Sequence, residues 1–408
     1  MSVTTRLAWR NLWRHGRRTW LTVGAMVFCN ALLVFLISFQ AGTYSMMIDG
    51  TLSLLTGHIQ VQEQRYNDEP RMRYTIPQGD ALAAKIRDTT GIQSIAARGV
   101  SFVLASSEER SFGIQVLGVQ PEFEPLVSTL PGLVKQGRYL KSNNAAEIVI
   151  GAVLARNLKV ELGDEITFLG SGRDSSFAAG VATIVGIVDS GITDLDRSVA
   201  QIPLGYFQDS FAMENDVHTI VADVGDLSAV APVQAQIQQL LLNPALAVLD
   251  WNELQPGLRQ AIQADMASAF IMYAVLIILV AFSVLNTQLM SVLERTREFG
   301  VMMALGLRPG GLARLVMLET GVMSLLGLVL GCLLGILMTG YFQAYGLHIE
   351  GMEEAMERYN MPGLLYPQLS ATSVLLGPVV VFVGGMLAAI YPATRLFILQ
   401  PVAAMRAV

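Results

Sequence analysis

Four stretches of this chain are apolar for long enough to cross a bilayer, and the rest is arranged around them. A helix needs about 20 apolar residues to span a hydrocarbon core of roughly 30 Å. The runs at 20–44, 267–290, 315–341 and 373–391 meet that requirement, each bounded by charge or by Pro and Gly. The pattern predicts four transmembrane helices and five aqueous segments, 1–19, 45–266, 291–314, 342–372 and 392–408. The first run follows an arginine-rich start, but it exceeds the roughly 7–15 residues of a signal-peptide core and lacks a following small-x-small cleavage site, so an uncleaved anchor is expected.

Within 45–266 the hydrophobic period changes. Short β-type runs occur at Ile59–Val61, Ile114–Val119, Ile148–Ile150, Ile166–Leu169, Val181–Val188 and Ile220–Val224, with helical patterns at Asp80–Asp88, Ala152–Leu158 and Val230–Leu242. Turn signals at Gly163-Asp164 and Ser190-Gly191 separate them. The expectation is a membrane α-helical protein with an α/β (α+β) domain inserted between helices 1 and 2. Segment 1–19 reads differently. At 100° per residue Trp9, Leu12, Trp13 and Trp20 share one side, with Arg6, Arg10, Arg14 and Arg17 beside them. This predicts an interfacial helix anchored by Trp9 and Trp13 at headgroup depth, with Arg10 and Arg14 meeting anionic lipid.

Composition agrees with a bilayer: 52% of the 408 residues are hydrophobic and 15% charged, and the mean hydropathy is +0.48. A net charge of -6 supplies no basic face for nucleic acid. Cys29 and Cys332 lie inside apolar runs and read as small hydrophobes, not a disulfide. His15, His58, His218 and His348 have no ligand spacing, so no metal site is predicted. Asp189, Asp194, Asp196 and Arg197 read as a solvated loop without an activated nucleophile. No G-x-x-x-x-G-K-[ST] loop occurs, so ATP hydrolysis is not expected of this chain.

Charge also sets orientation. Arg6, Arg10, Arg14, Arg17 and Arg18 precede the first span, Arg295, Arg297, Arg308 and Arg314 lie between the second and third, and Arg395 and Arg406 follow the fourth. Glu350, Glu353, Glu354 and Glu357 face a lone Arg358 in 342–372. The positive-inside rule puts both termini and 291–314 in the cytoplasm and 45–266 outside. The only ionisable residue in a span is Glu319, near the cytoplasmic end of the third, where it can pair with an arginine or snorkel. Gly327, Gly331 and Gly335 make a small-x-x-x-small seam for close helix packing, within the subunit or between two. Four helices without an ionisable lining make a poor pore, so a homodimer or a pairing with a paralogous subunit is expected.

The loop Glu294-Arg295-Thr296-Arg297-Glu298-Phe299-Gly300-Val301-Met302-Met303-Ala304-Leu305-Gly306 resembles the E-R-x-x-E-x-G-x-x-x-A-x-G signature of FtsX-like ABC permeases. Tyr391-Pro392-Ala393-x-Arg395 followed by Pro401, Ala404 and Arg406 is similar to that family's closing pattern. Gly57-His58-Ile59-Gln60-Val61, and Val149-Ile150-Gly151 through Leu162-Gly163-Asp164, resemble the periplasmic core of macrolide-exporter and lipoprotein-releasing permeases. Val185-Gly186-Ile187, Ser190-Gly191 and Leu195-Asp196 lean toward the lipoprotein-releasing branch. Met303 departs from the pattern, standing where many members carry a basic residue.

The resemblance implies a type VII ABC permease in a bacterial inner membrane with a periplasmic domain. It implies a coupling helix at Glu294, Arg295, Arg297, Glu298, Phe299, Gly300, Met302, Ala304 and Gly306 that docks on an ATPase dimer. ATP and Mg then belong to that partner, and this chain holds no cofactor. Glu294 and Glu298 suit charge-assisted contacts with a partner surface, and Phe299 and Met302 suit an apolar pocket. Nucleotide-driven tilting of helices 1 and 2 would move the outer domain and extract a lipoprotein or lipidic substrate, passed to a periplasmic carrier or outer-membrane partner. Two alternatives are a tripartite drug, toxin or peptide exporter, and a non-transporting scaffold that activates a cell-wall hydrolase.

Overall fold

The structure, a computed structural model, describes residues 10–400 apart from 12, 15, 242, 352–355, 357, 358 and 362. Trp9, Arg6, Leu12, His15, Glu353, Glu354, Glu357, Arg358, Pro401, Ala404 and Arg406 lie outside the described residues. In chain order the elements are α1 (Gly16–Thr51), β1 (Ile59–Glu63), α2 (Gly79–Thr90), β2 (Ile95–Ser106), β3 (Ser111–Val119), β4 (Val134–Gly137), β5 (Glu147–Gly151) and α3 (Ala152–Leu158). They continue with β6 (Glu165–Ser171), β7 (Phe177–Val188), α4 (Thr193–Ser198), β8 (Val199–Pro203), α5 (Leu204–Ser210), β9 (Thr219–Ala222), α6 (Val230–Leu240) and β10 (Leu246–Asp250). Last come α7 (Pro256–Glu294), α8 (Thr296–Ala304), α9 (Pro309–Tyr345) and α10 (Ala371–Ile398). The chain divides into two compact units: Met1–Tyr44, Ala261–Ile349 and Leu364–Val408 in one, Ser45–Gln260 and Glu350–Gly363 in the other. The compact inserted unit ends at Gln260, where the sequence places the end of the outer domain at residue 266, and Glu350–Gly363 of the expected periplasmic loop 342–372 groups with it.

In the helical unit, α1, α7, α9 and α10 are each long and apolar enough to cross a membrane. All four outrun the apolar stretches that announce them, because their ends are polar and still helical. The glycine seam resolves as an internal contact. A Cβ at Gly327 would lie 2.6 Å from Met26 Cβ and one at Gly335 2.7 Å from Val34 Cβ, with Gly331 equally tight against Asn30. Two series spaced by four residues thus interlock, and Asn30 Nδ2 donates to Gly327 O at 3.1 Å. Met26, Cys29 and Leu33 of α1 pack with Val280 and Val284 of α7 and Val381 of α10. Phe270, Ile271, Ile278, Leu279 and Phe282 of α7 stay exposed.

In the sheet unit, ten strands form one sheet: nine follow the order β10-β1-β9-β2-β3-β8-β5-β7-β4, and β6 pairs with both β2 and β7. That double pairing closes a ring β2-β3-β8-β5-β7-β6. A closed ring has no free edges, and its interior holds Ile114, Val116, Ile148, Ile166, Phe168, Ile184 and Phe207. Gly99 on β2 and Gly118 on β3 leave room for the Phe207 ring, which a Cβ at either position would overlap. β2 serves two cores: Ile95–Arg98 pair with β9 and Arg98–Ser106 with β3. Beyond the ring, β9, β1 and β10 carry α2 and α6 over Ile59, Val61, Ile86, Ile220 and Ile237.

The Asp189–Arg197 region is not a solvated loop throughout. Asp194, Asp196 and Arg197 belong to α4, and Asp196 is 3% exposed. Its carboxylate accepts from Ser190 N at 3.1 Å and Ser190 Oγ at 2.7 Å. Burial pushes its pKa up while the Ser190 donors pull it back. Two histidines are also buried here. His58 Nδ1 lies 2.8 Å from Asp223 Oδ1 and its Nε2 lies 3.6 Å from Asp49 Oδ1. His218 stacks on Tyr66 and accepts from Val100 N at 3.0 Å.

Candidate functional site

The expected coupling loop is a short helix held from one side. After α7 ends, Arg295 leaves the helical region (φ -97°, ψ 12°) and α8 begins. α8 stops in a Schellman turn: Gly306 N donates to Met303 O at 3.0 Å and Leu307 N to Met302 O at 3.1 Å. Gly306 sits at φ +97°, a region that disfavours any side chain. Arg308 is then extended, and Pro309 opens α9 at a position where its missing N–H has no helical partner to lose. The A-L-G-L-R-P run is therefore a stop signal followed by a start signal.

One face of α8 is built into its own unit. Phe299 is 0% exposed and packs with Val292, Leu312, Val316, Ala393 and Leu396, with Met302 against the same cluster. The expected apolar pocket exists, but this chain supplies it, so Phe299 does not reach a partner. Gly300 is buried as well. Arg295 is likewise turned inward: its Nη1 donates to both carboxylate oxygens of Glu319 at 3.1 Å, and its Nε to Glu298 at 3.3 Å. Glu319 also accepts from Asn11 Nδ2 at 2.8 Å. Its carboxylate is therefore committed to a buried ion pair.

The other face is open. Val301, Leu305 and Leu307 are 46%, 79% and 42% exposed, beside exposed Arg297, Glu298, Ala304, Gly306 and Arg308. Arginines at the start of α1 and just ahead of it meet this loop: Arg18, in the first turn of α1, pairs with Glu294, and Arg14 Nη1 lies 3.5 Å from Glu298. Between them lies a cleft of about 810 Å³ lined by Arg10, Asn11, Arg14, Arg297, Glu298 and Val301, among others. Trp13 and Trp20 are half exposed and meet edge to face at 6.0 Å. Asn11 carries no signal in the sequence, Arg18 is read there only for orientation, and Leu305 only as part of the signature loop. The signal available for Arg18 was sign complementarity between an arginine-rich start and a Glu-bearing loop. Among the described residues no cluster of His, Cys, Asp and Glu could hold a metal ion.

Residues 270–400 match the FtsX-like permease C-terminal family. Residues 19–240, more than half of the 408, match the MacB-like periplasmic core domain. The chain belongs to the FtsX-like permeases with a MacB-like periplasmic core. This permease is 22% identical over 304 residues to the lipoprotein-releasing system transmembrane protein LolC of Neisseria meningitidis serogroup B, covering 72% of this chain and 73% of that one. It is 26% identical over 306 residues to the corresponding LolE of Haemophilus influenzae, covering 71% of each. It is also 22% identical over 299 residues to the macrolide export ATP-binding/permease protein MacB of Bdellovibrio bacteriovorus, covering 70% of this chain and 45% of that longer one. It is an ABC transporter permease of the LolC/LolE or MacB type and a membrane protein with a periplasmic core domain.

Proposed function

We propose that this permease docks α8 on a cytoplasmic ATPase dimer and turns ATP-driven motion of that partner into movement of its periplasmic domain, releasing a lipoprotein or other lipidic cargo from the inner membrane. The observation that carries this reading is the two-sidedness of α8. Phe299 and the Arg295–Glu319 pair fix the helix from within, while Val301, Leu305 and Leu307 present an apolar tip edged by Arg297, Glu298 and Arg308. Exposed apolar surface rimmed by charge marks contact sites for protein or membrane, and the charged edge of Arg297, Glu298 and Arg308 favours a protein partner here. ATP and Mg belong to that partner, both termini lie on its side of the membrane, and a second permease subunit completes the complex. α1 and α7 carry residues of both units, which suits them to relay a stroke.

Lipidic cargo follows from relatives matched along most of their length, whose names specify lipoprotein release. Relatives of the macrolide-export type support the second reading, an efflux permease. Purification in mild detergent, with identification of co-purifying proteins and lipids, separates the two. An ATPase with a periplasmic lipoprotein carrier supports the first reading, and an ATPase with an outer-membrane duct supports the second. Recovery of a cell-wall hydrolase with no cargo-handling partner would contradict both.

A further inference from the structure

The first long helix ends in an unusual way. After Thr51 it passes into a π-helical turn, Leu52–Thr56, and stops at Gly57, whose φ of +68° lets its N–H return to Leu52 O at 2.8 Å. Any helix leaves its last four carbonyls without helical partners, and water commonly serves them. Here all four are served: Gln60 Nε2 on β1 donates to Thr56 O at 2.7 Å, and segments of the sheet unit distant in sequence take the other three in succession. Ser53 O accepts from Thr129 N at 2.8 Å and from Thr129 Oγ1 at 3.3 Å. Leu54 O accepts from Ser128 Oγ at 2.5 Å, and Leu55 O accepts from Arg98 Nη1. Leu54 itself is buried among Leu117, Val119, Leu130 and Val149.

These donors are themselves fixed. Arg98 on β2 is paired with Glu124 through Nη2–Oε1 at 2.7 Å and Nε–Oε2 at 3.0 Å, and the two residues are 3% and 0% exposed. Gln201 on β8 donates to Glu124 at 3.3 Å, and Tyr139 donates to Gln201 at 2.7 Å. Glu124, Ser128 and Thr129 lie on one short segment. Successive carbonyls of a helix point in different directions around its axis, roughly 100° apart in an α-helix and less in a wider π-turn, so three consecutive caps resist rotation of the helix end as well as its withdrawal. A single cap would stop fraying and leave rotation free.

We infer that Ser128, Thr129 and Arg98, braced by Glu124, are the positioning residues through which movement of α1 is handed to the sheet unit. This rests on the function proposed above, in which the sheet unit moves with the nucleotide cycle. Thr129 (φ -81°, ψ -15°) follows the extended Ser128 (φ -141°, ψ 141°), so proline fits at 129 without moving the backbone. Ser128→Ala/Thr129→Pro therefore removes the donors to Ser53 and Leu54 while leaving the buried Arg98–Glu124 pair intact.

The test uses the full chain with its ATPase in lipid nanodiscs, nitroxides at Ser45 on α1 and at the exposed Ser142, and ATP with vanadate as the nucleotide probe. In the parent and in Thr129→Ser, which keeps the backbone donor, we expect one Ser45–Ser142 distance in both nucleotide states. In the double variant we expect the distance to shift or split on adding nucleotide, with ATP hydrolysis and the β-sheet circular dichroism of the parent. An unshifted distance in the double variant overturns the inference. Should that variant lose its β signal, Thr129→Pro alone is judged by the same outcomes. A parent whose Ser142 label never changes its depth above the bilayer with nucleotide removes the proposed function, and this inference with it.

Discussion

The Arg295–Glu319 pair should behave as one energetic unit that sets the position of α8. Both side chains are nearly buried, at 9% and 6% exposure, and the carboxylate accepts from Arg295 at 3.1 Å through each oxygen. Removing one partner leaves an uncompensated buried charge, a loss of about 3–5 kcal/mol, whereas replacing both by apolar residues of similar volume is often close to neutral. Arg295→Met should therefore destabilise the helical unit strongly, and Arg295→Met/Glu319→Leu should recover most of that loss. At about 2–4 °C per kcal/mol, the single variant should melt roughly 6–20 °C below the parent. The assay is fluorescence-detected size exclusion of purified protein after a temperature series, completed as a double-mutant cycle with Glu319→Leu. Asn11, which also donates to Glu319 at 2.8 Å, should limit the recovery, so Asn11→Ala in the double-variant background is the companion measurement. Additive losses in the double variant would refute the reasoning, because two independent residues add and a compensating pair does not.

The remaining predictions concern the seam, the tip of α8 and the sheet unit. Gly331→Val should cost about 1–3 kcal/mol or more by overpacking against Asn30, read as a lower melting temperature, while Gly340→Val, with nothing within 4 Å, should cost far less. Leu305→Asp alters a side chain that is 79% exposed, so it should leave folding untouched and abolish co-purification of the ATPase; unchanged recovery speaks against α8 as the docking site. Glu298→Lys should lower ATP hydrolysis by the complex with membrane insertion intact. Two histidines should give the sheet unit opposite pH slopes. Burial opposes the charge on His58, but Asp223 and Asp49 outweigh it and raise its pKa to about 9, so its contribution is complete below about 6.5 and lost as pH rises toward 9. Burial lowers the pKa of His218 to about 4, so its neutral form stabilises above about 6.5 and that contribution is lost as pH falls toward 4. Thermal melting of the full chain across this range should show the sheet transition highest near pH 6.5, with His58→Gln flattening the alkaline limb alone.

Much of the architecture was written in hydropathy, and what was not has identifiable causes. The apolar runs locate the helices but not their ends, because α1 and α7 continue as helices through residues polar enough for water. β2 left little signal: Ile95-Ala96-Ala97-Arg98-Gly99-Val100 holds small residues and a buried charge, since the strand faces two cores and receives Phe207 against its glycine. β4, β8 and β10 are four or five residues long, too short to establish a period. Gly327, Gly331 and Gly335 were recognisable as a seam, but spacing cannot say which helix faces it, and the answer is α1 of the same chain. The residues of α8 were identifiable from their motif, yet the motif does not separate the side chains that anchor the helix, Arg295 and Phe299, from those left open, Val301 and Leu305. Asp196 was obscure because its partner, Ser190, looked like part of a turn.

The central claim is that α8 and the sheet unit occupy opposite sides of the membrane, so that one can receive force and the other deliver it. It is tested most directly by single-cysteine labelling in intact cells with a membrane-impermeant maleimide, comparing Ser142→Cys with Leu305→Cys at positions exposed in the fold. The account predicts that the cysteine at 142 reacts once the reagent reaches the periplasm, while that at 305 reacts only after the inner membrane is opened. Equal labelling of both from one side would contradict it.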